Sequence, residues 1–147
     1  MKITSSFQHN ENIPLKYSCD GDNINPPITI SEIPPETQSI ALIVDDPDAP
    51  SGTFTHWVVF NIHTGEDNQI EIKEGANPGT NGKNNFSKSG YGGPCPPSGT
   101  HHYHFKAYAL DTKLDLQEGA SRQEVEDAMQ QHILQQAEII GLYSRDN

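Results

Sequence analysis

Two polar stretches of the chain carry side chains that could bind an anion. The first is the acidic, proline-stiffened turn at residues 46–52 (Asp-Pro-Asp-Ala-Pro-Ser-Gly), which His56 follows within a few residues. The second is residues 92–104, where a Gly/Pro-rich segment leads into a strand-like run with three histidines and a tyrosine. Imidazole, phenol and glycyl N–H groups are donors suited to an oxyanion. Together the two stretches predict a rigid polar pocket.

The acidic turn has two interpretations. Asp-Pro-Asp-Ala-Pro is a good ordinary turn, and this explains at least one of the carboxylates of Asp46 and Asp48. Two prolines around two acids, however, give more rigidity than a surface turn requires, and rigid loops at strand ends often carry binding groups. A carboxylate near His56 would favour the charged imidazole, which is a good donor to phosphate or carboxylate. The alternative for His56 is a satisfied core histidine.

His101 and Tyr103 are two residues apart and so leave a strand on the same face. With the Gly/Pro-rich segment before them, they complete the donor set of the predicted pocket. Packing of the Tyr103 ring in the core, with its hydroxyl satisfied elsewhere, is an equally good interpretation.

Metal binding and catalysis have weaker support. His102 and His104 share the opposite strand face, a geometry that can bind Zn²⁺, but spacing does not identify a third ligand among His9, His56, His63, the carboxylates and the cysteines. Solvated histidines are the favoured interpretation. Nucleophile elbows, P-loops and dinucleotide-binding glycine motifs are lacking, and a hydrolase built on Asp46 and Asp48 rests only on close acids in a turn. We therefore predict no enzyme and no cofactor.

Hydrophobic patterning predicts the elements that hold these residues. Residues 39–44 form an apolar, β-branched run typical of a strand buried on both faces, and residues 56–62 and 101–110 alternate as further strands. Residues 70–99 predict a long ordered loop with at most one short strand. Ser121 and Glu124 form a capping box that starts a helix, whose apolar stripe continues to Ala137. Residues 139–143 favour a closing strand.

The order of these elements predicts a mostly β fold, an antiparallel β-sandwich with a packed C-terminal helix and long loops. The length of 147 residues suits a single domain covering residues 1–147.

The net charge of −11 disfavours nucleic acid and anionic membranes as partners. Without a signal-like or bilayer-length apolar segment, the expected location is the cytoplasm and no integral membrane association is expected. There Cys19 and Cys95 are most simply free thiols, although a bridge between them is an alternative.

The assembled motifs resemble the phosphatidylethanolamine-binding protein family, specifically its short bacterial, Raf-kinase-inhibitor-like branch. The matching segments are residues 17–22 followed by Pro26-Pro27, and residues 46–51, 56–61, 92–103 and 108–111. This resemblance implies a β-sandwich of a large and a small sheet, with a shallow anion pocket for phosphate-bearing head groups. Carried over to this sequence, its ligand-binding residues are Asp46, Asp48, Pro50, Phe54, His56, Gly93, Pro94, His101 and Tyr103.

The sequence departs from the family pattern in three places. Residues 28–30 read Ile-Thr-Ile where a Trp is common, and His102 stands where Arg is often found. The C-terminal segment that longer eukaryotic members carry near the pocket is missing, which argues against regulation of a Raf-type kinase.

We predict a non-enzymatic binding module for a small phosphate-bearing or carboxylate ligand. The alternatives are a protein-docking inhibitor of a kinase or serine protease and a histidine-based metal protein, and the resemblance also suggests a homodimer.

Overall fold

The computed structural model describes residues 1–145 and contains two β-sheets that pack face to face, with one α-helix against the outer face of the larger sheet. This arrangement confirms the predicted β-sandwich. In chain order the elements are β1 (Lys2–Ser5), β2 (Glu11–Asn12), β3 (Ile28–Ser31), β4 (Ser39–Asp46), β5 (Phe54–Ile62), β6 (Ile70–Ile72), β7 (Thr80–Asn81), β8 (Thr100–Leu110), α1 (Arg122–Met129) and β9 (Ile133–Ser144).

The smaller sheet has the strand order β1-β3-β6 and is antiparallel throughout. The larger sheet has the order β2-β9-β8-β4-β5-β7. Its long strands are antiparallel neighbours, as predicted, but the edge strand β2 runs parallel to β9. Only Glu11 and Asn12 take part in this parallel pairing, and so short a strand leaves no sequence pattern. The last two residues of the predicted domain lie outside the described part of the chain.

The central strand β4 is buried along its whole length, which confirms the sequence interpretation. Ile40, Leu42 and Val44 contribute to the core between the two sheets. Ala41 and Ile43 point to the other side, where they join a second core beneath α1. A strand covered by a sheet on one face and a helix on the other must be apolar at every position.

The helix α1 begins where predicted but is shorter. The Ser121 hydroxyl accepts a hydrogen bond from the backbone N–H of Glu124, and the Glu124 carboxylate accepts from the Ser121 N–H, so the capping box is confirmed. The prediction of a stripe continuing to Ala137 is wrong, because the helix ends at Met129 and Gln131 adopts a left-handed backbone with φ of 68°. The following residues instead form β9, which pairs with β8 as far as Ser144 and confirms the predicted closing strand.

The predicted loop at residues 70–99 contains two short strands, β6 and β7, where at most one was expected, and its second half lies along the outer edge of β5. The backbone N–H of Gly82 donates to the Val58 carbonyl at 2.7 Å, and that of Gly92 donates to the His56 carbonyl at 2.9 Å. This long segment is therefore held beside His56. Within residues 1–145, no helix has the length and apolar character needed to cross a bilayer.

Candidate functional site

A cavity of about 520 Å³ opens between the loop that follows β4 and the segment that precedes β8. Its walls include six of the predicted ligand-binding residues, which come from separate parts of the chain: Asp46, Pro50, Phe54, His56, His101 and Tyr103. The structure therefore brings the two polar stretches together, although the ligand-binding roles of these residues stay predictions. The other walls are Ala49, Ser51, Gly52, Thr53, Asn85, Phe86, Cys95, Pro96 and Pro97.

Asp46 and His101 form a buried pair on the wall of this cavity. The His101 Nδ1 lies 2.6 Å from the Asp46 Oδ2, and both side chains are almost completely buried. Because a carboxylate only accepts, Nδ1 is the donor, and Nε2 is the ring nitrogen left for a ligand. The second carboxylate oxygen of Asp46 accepts from the backbone N–H of Asp48 at 2.8 Å. Asp46 thus orients His101 and also fixes the turn.

His56 has a different environment from the predicted one. Its Nδ1 donates to the Gly92 carbonyl at 2.7 Å. Burial lowers the pKa of His56, and the Gly92 hydrogen bond and the charge of Asp46 oppose this effect only in part. The prediction that a carboxylate holds His56 charged is therefore wrong: the direct carboxylate contact belongs to His101, and desolvation dominates at His56. In the free protein its Nε2 carries a lone pair.

Tyr103 combines the two roles that the sequence left open. Its side chain is only 1% exposed and belongs to the core between the sheets, yet it also lines the cavity. Its ring meets the His56 ring edge-on, with centroids 5.2 Å apart, and stacks with the His101 ring at 6.4 Å. Burial raises the pKa of Tyr103, so the phenol keeps its proton. The Tyr103 ring therefore contacts both imidazoles, and its hydroxyl stays protonated and uncharged.

Asp48, Gly93 and Pro94 do not line the cavity. Asp48 accepts hydrogen bonds from the backbone N–H and the Nδ1 of His102, at 2.9 and 2.7 Å, and the His102 side-chain hydrogen bond is the main reason why the pKa of Asp48 is lowered. The Gly93 N–H donates to the Asn23 side chain at 2.8 Å. These residues hold the two cavity loops in place.

His102 and His104, the candidate zinc ligands, each face one carboxylate. His102 pairs with Asp48, and the Nδ1 of His104 lies 3.0 Å from the Glu138 carboxylate. Across residues 1–145 no cluster of three or more His, Cys, Asp or Glu side chains is arranged to hold a metal ion.

Cys19 and Cys95 form a disulfide, which overturns their interpretation as free thiols. The reason is a contact between distant segments: the Cys19 backbone N–H donates to the Pro94 carbonyl at 3.0 Å, and the two Cα atoms are 5.4 Å apart. Such a separation lies within the usual range for a disulfide. Because Cys95 is itself a wall of the cavity, the bridge fixes that wall to the N-terminal third of the chain.

Gly93 lies in the segment that precedes β8, at the point where this segment packs against the chain around Tyr17. A Cβ at this position would collide with the backbone oxygen of Tyr17 and would lie 2.6 Å from the Asn23 side-chain oxygen. We expect Gly93→Ala to lower the free energy of unfolding by roughly 1–3 kcal/mol, because the backbone must move to accept the methyl group. Urea unfolding measures this loss. The control Ser98→Ala, at an exposed position of the same segment, should be neutral, and equal unfolding curves for both variants would contradict the prediction.

Phe86 and Asn85 are cavity residues that the sequence reasoning missed. They lie in a polar, aperiodic part of residues 70–99, where nothing separates a functional aromatic residue from an incidental one. Asn84 is the residue that could have indicated an ordered turn here, because asparagine is common in turns and its side chain bonds the loop backbone.

The fold and the cavity define a β-sandwich with a ligand-sized pocket at the ends of its central strands. A sequence model of the family described as phosphatidylethanolamine-binding protein matches residues 3–144. The chain belongs to this family, as the motifs indicated.

Several curated relatives align with nearly the whole chain. A UPF0098 protein of Pyrococcus horikoshii is 49% identical over 99% of this chain and 77% of its own length. A UPF0098 protein of Methanothermobacter thermautotrophicus is 49% identical over 97% of both chains. Among solved structures, a phosphatidylethanolamine-binding protein homologue of Chlamydia trachomatis superimposes with a TM-score of 0.93 at 39% identity, covering 99% of this chain and 97% of the other. YbcL of E. coli gives a TM-score of 0.86 at 31% identity, with 97% of each chain covered.

Proposed function

We propose that this protein is a non-enzymatic binding module whose cavity takes a small anionic ligand carrying a phosphate or a carboxylate group. The observation that carries the proposal is the arrangement of His56 and His101. Each ring is fixed through Nδ1, to the Gly92 carbonyl and to the Asp46 carboxylate, so that each keeps Nε2 for a ligand. Both rings contact the Tyr103 ring, and both line the same cavity.

The charge state of this site makes anion binding depend on protons. The neutral His56 accepts a hydrogen bond, so a fully ionised anion gains a donor there only when the ring takes up a proton. The anion then stabilises the imidazolium that burial had disfavoured. With Asp46 nearby and a net charge of −11, the local donors must outweigh a field that repels anions, so we expect weak binding.

The family supports the phosphate-bearing class of ligand. The family takes its name from the binding of phosphatidylethanolamine, whose head group carries a phosphate. We propose that the same chemical group is recognised here by the two imidazoles and the neutral Tyr103 hydroxyl.

We expect sulfate to bind more weakly as the pH rises. Sulfate stays fully ionised near neutral pH, so any change in its affinity reports protonation of the protein and not of the ligand. With one proton taken up on binding, the affinity should fall by a factor approaching about tenfold per pH unit as the pH rises above the lowered pKa of free His56. NMR titration of the histidine and tyrosine signals measures the dissociation constant at each pH.

Two variants test whether His56 is the residue that takes up the proton when sulfate binds. His56→Gln should weaken sulfate binding and flatten its pH dependence, because the ring that takes up the proton is gone. His132→Gln should leave both unchanged, since this exposed imidazole pairs with Asp111 and does not line the cavity. A pH-independent affinity in the native protein, or no shift of the His56 and His101 signals, would refute the proposal.

A further inference from the structure

The loop at residues 83–89 is built to present one aromatic side chain. The Asn84 side chain is 4% exposed and organises the loop: its oxygen accepts from the backbone N–H of Phe86 at 2.8 Å, and its amide donates to the Gly90 carbonyl at 2.9 Å. Asn85 ties the same loop to β5, because its backbone N–H and its side-chain oxygen both bond Thr55. Phe86 therefore occupies a fixed position.

Phe86 stands at the mouth of the cavity and remains 40% exposed. Its ring packs against Phe54 with centroids 4.8 Å apart and meets the His56 ring at 5.5 Å. Gly92 makes room for it, because a Cβ at that position would collide with the Phe86 ring. Because its loop is well bonded and its ring packs against two other cavity residues, Phe86 presents a fixed aromatic face to the cavity.

The composition of the walls indicates the shape of that ligand. Beside the two histidines, the apolar walls are mainly rings, the aromatic rings of Phe54 and Phe86 and the pyrrolidine rings of Pro50, Pro96 and Pro97. Within the described part of the chain, no Leu, Ile, Val or Met lines this cavity. The cavity of about 520 Å³ lies within the range of roughly 300–1,000 Å³ that small organic ligands occupy, which is far more than an inorganic anion needs.

We propose that the ligand is an aryl anion, an aromatic ring that bears a phosphate or carboxylate group. The ring lies against Phe54 and Phe86, and the anionic group lies against His56 and His101. This assignment rests on the proposed function for its anionic half and adds the aromatic half. An alkyl chain would fill the same volume but would lose the ring–ring contacts, which contribute about 0.5–1.5 kcal/mol each beyond buried area.

Four phosphate compounds test the assignment: inorganic phosphate, methyl phosphate, cyclohexyl phosphate and phenyl phosphate. We expect phenyl phosphate to bind about tenfold more tightly than methyl phosphate, and severalfold more tightly than cyclohexyl phosphate. Equal affinity for the phenyl and cyclohexyl compounds would overturn the aromatic assignment. Equal affinity for phenyl and methyl phosphate would remove the second subsite altogether while leaving anion binding intact. Failure of all four compounds to bind would instead refute the proposed function.

Matched variants connect the preference to Phe86. Phe86→Leu keeps an apolar side chain without a ring, so the phenyl-to-cyclohexyl ratio should fall toward the smaller value that Phe54 alone supports, while inorganic phosphate still binds. Leu15→Ala is the control, because Leu15 is 56% exposed and lies outside this cavity, and it should leave the ratio unchanged. Thermal unfolding checks that the Phe86→Leu loop remains folded. An unchanged ratio in Phe86→Leu would overturn the role of this ring.

Discussion

Loss of the Cys19–Cys95 disulfide is expected to lower the free energy of unfolding by roughly 4 kcal/mol. The two cysteines are 76 positions apart, so the bridge closes a loop over half of the chain. A cross-link of this kind removes more conformational freedom from the unfolded chain the longer its loop is. The folded state should keep its sheets, because neither cysteine belongs to a strand or to the two hydrophobic cores.

Urea unfolding of the native protein with and without a dithiol reductant measures this effect. The Cys19→Ser/Cys95→Ser variant should unfold at the same urea concentration as the reduced protein, and reductant should not change it further. Since Cys95 lines the cavity, the variant should also bind sulfate more weakly than the native protein. Equal urea midpoints for the oxidised and reduced native protein would contradict the prediction.

The long strands and the meeting of the two polar stretches could be predicted from sequence because their signals are local. The apolar run of β4 and the alternation in β8 each specify an element without knowledge of the rest of the chain. The acidic turn follows β4, and His101 lies near the start of the neighbouring antiparallel strand β8, so pairing of these strands brings Asp46 and His101 close together. The family motifs pointed to the same residues.

The features that sequence reasoning missed or left open depend on contacts between distant segments. Pairing of the cysteines requires the chain around Cys19 to lie on Pro94, which no local pattern encodes. The apolar stripe after α1 fits a helix and a strand alike for a few residues, and pairing with β8 decides for the strand. The charge of His56 is set by how deeply the finished fold buries it, and this burial outweighs the nearby carboxylates.

Tyr103→Ala is expected to lower the free energy of unfolding by roughly 3–5 kcal/mol. Tyr103 is among the largest side chains that are fully buried, and it packs between the two sheets. Truncation removes its contacts and leaves a space that the surrounding strands cannot close. It also removes the ring that both His56 and His101 contact, so anion binding should be lost even where the variant still folds. Urea unfolding and a sulfate titration measure the two effects.

Tyr103→Phe separates the packing role of this residue from its role as a donor. The ring remains, so the fold and both imidazole contacts should persist, with a loss of stability of about 1 kcal/mol from the hydrogen bond that Tyr103 shares with the Cys95 backbone. If the hydroxyl donates to the ligand, sulfate affinity should fall roughly tenfold, which is the cost of one lost hydrogen bond to an anion. Tyr91→Phe is the matched control, because the Tyr91 hydroxyl donates to the Tyr17 carbonyl at 2.8 Å and does not line the cavity. Unchanged sulfate affinity in Tyr103→Phe would assign this residue to packing alone and leave the two histidines as the side-chain donors of the site.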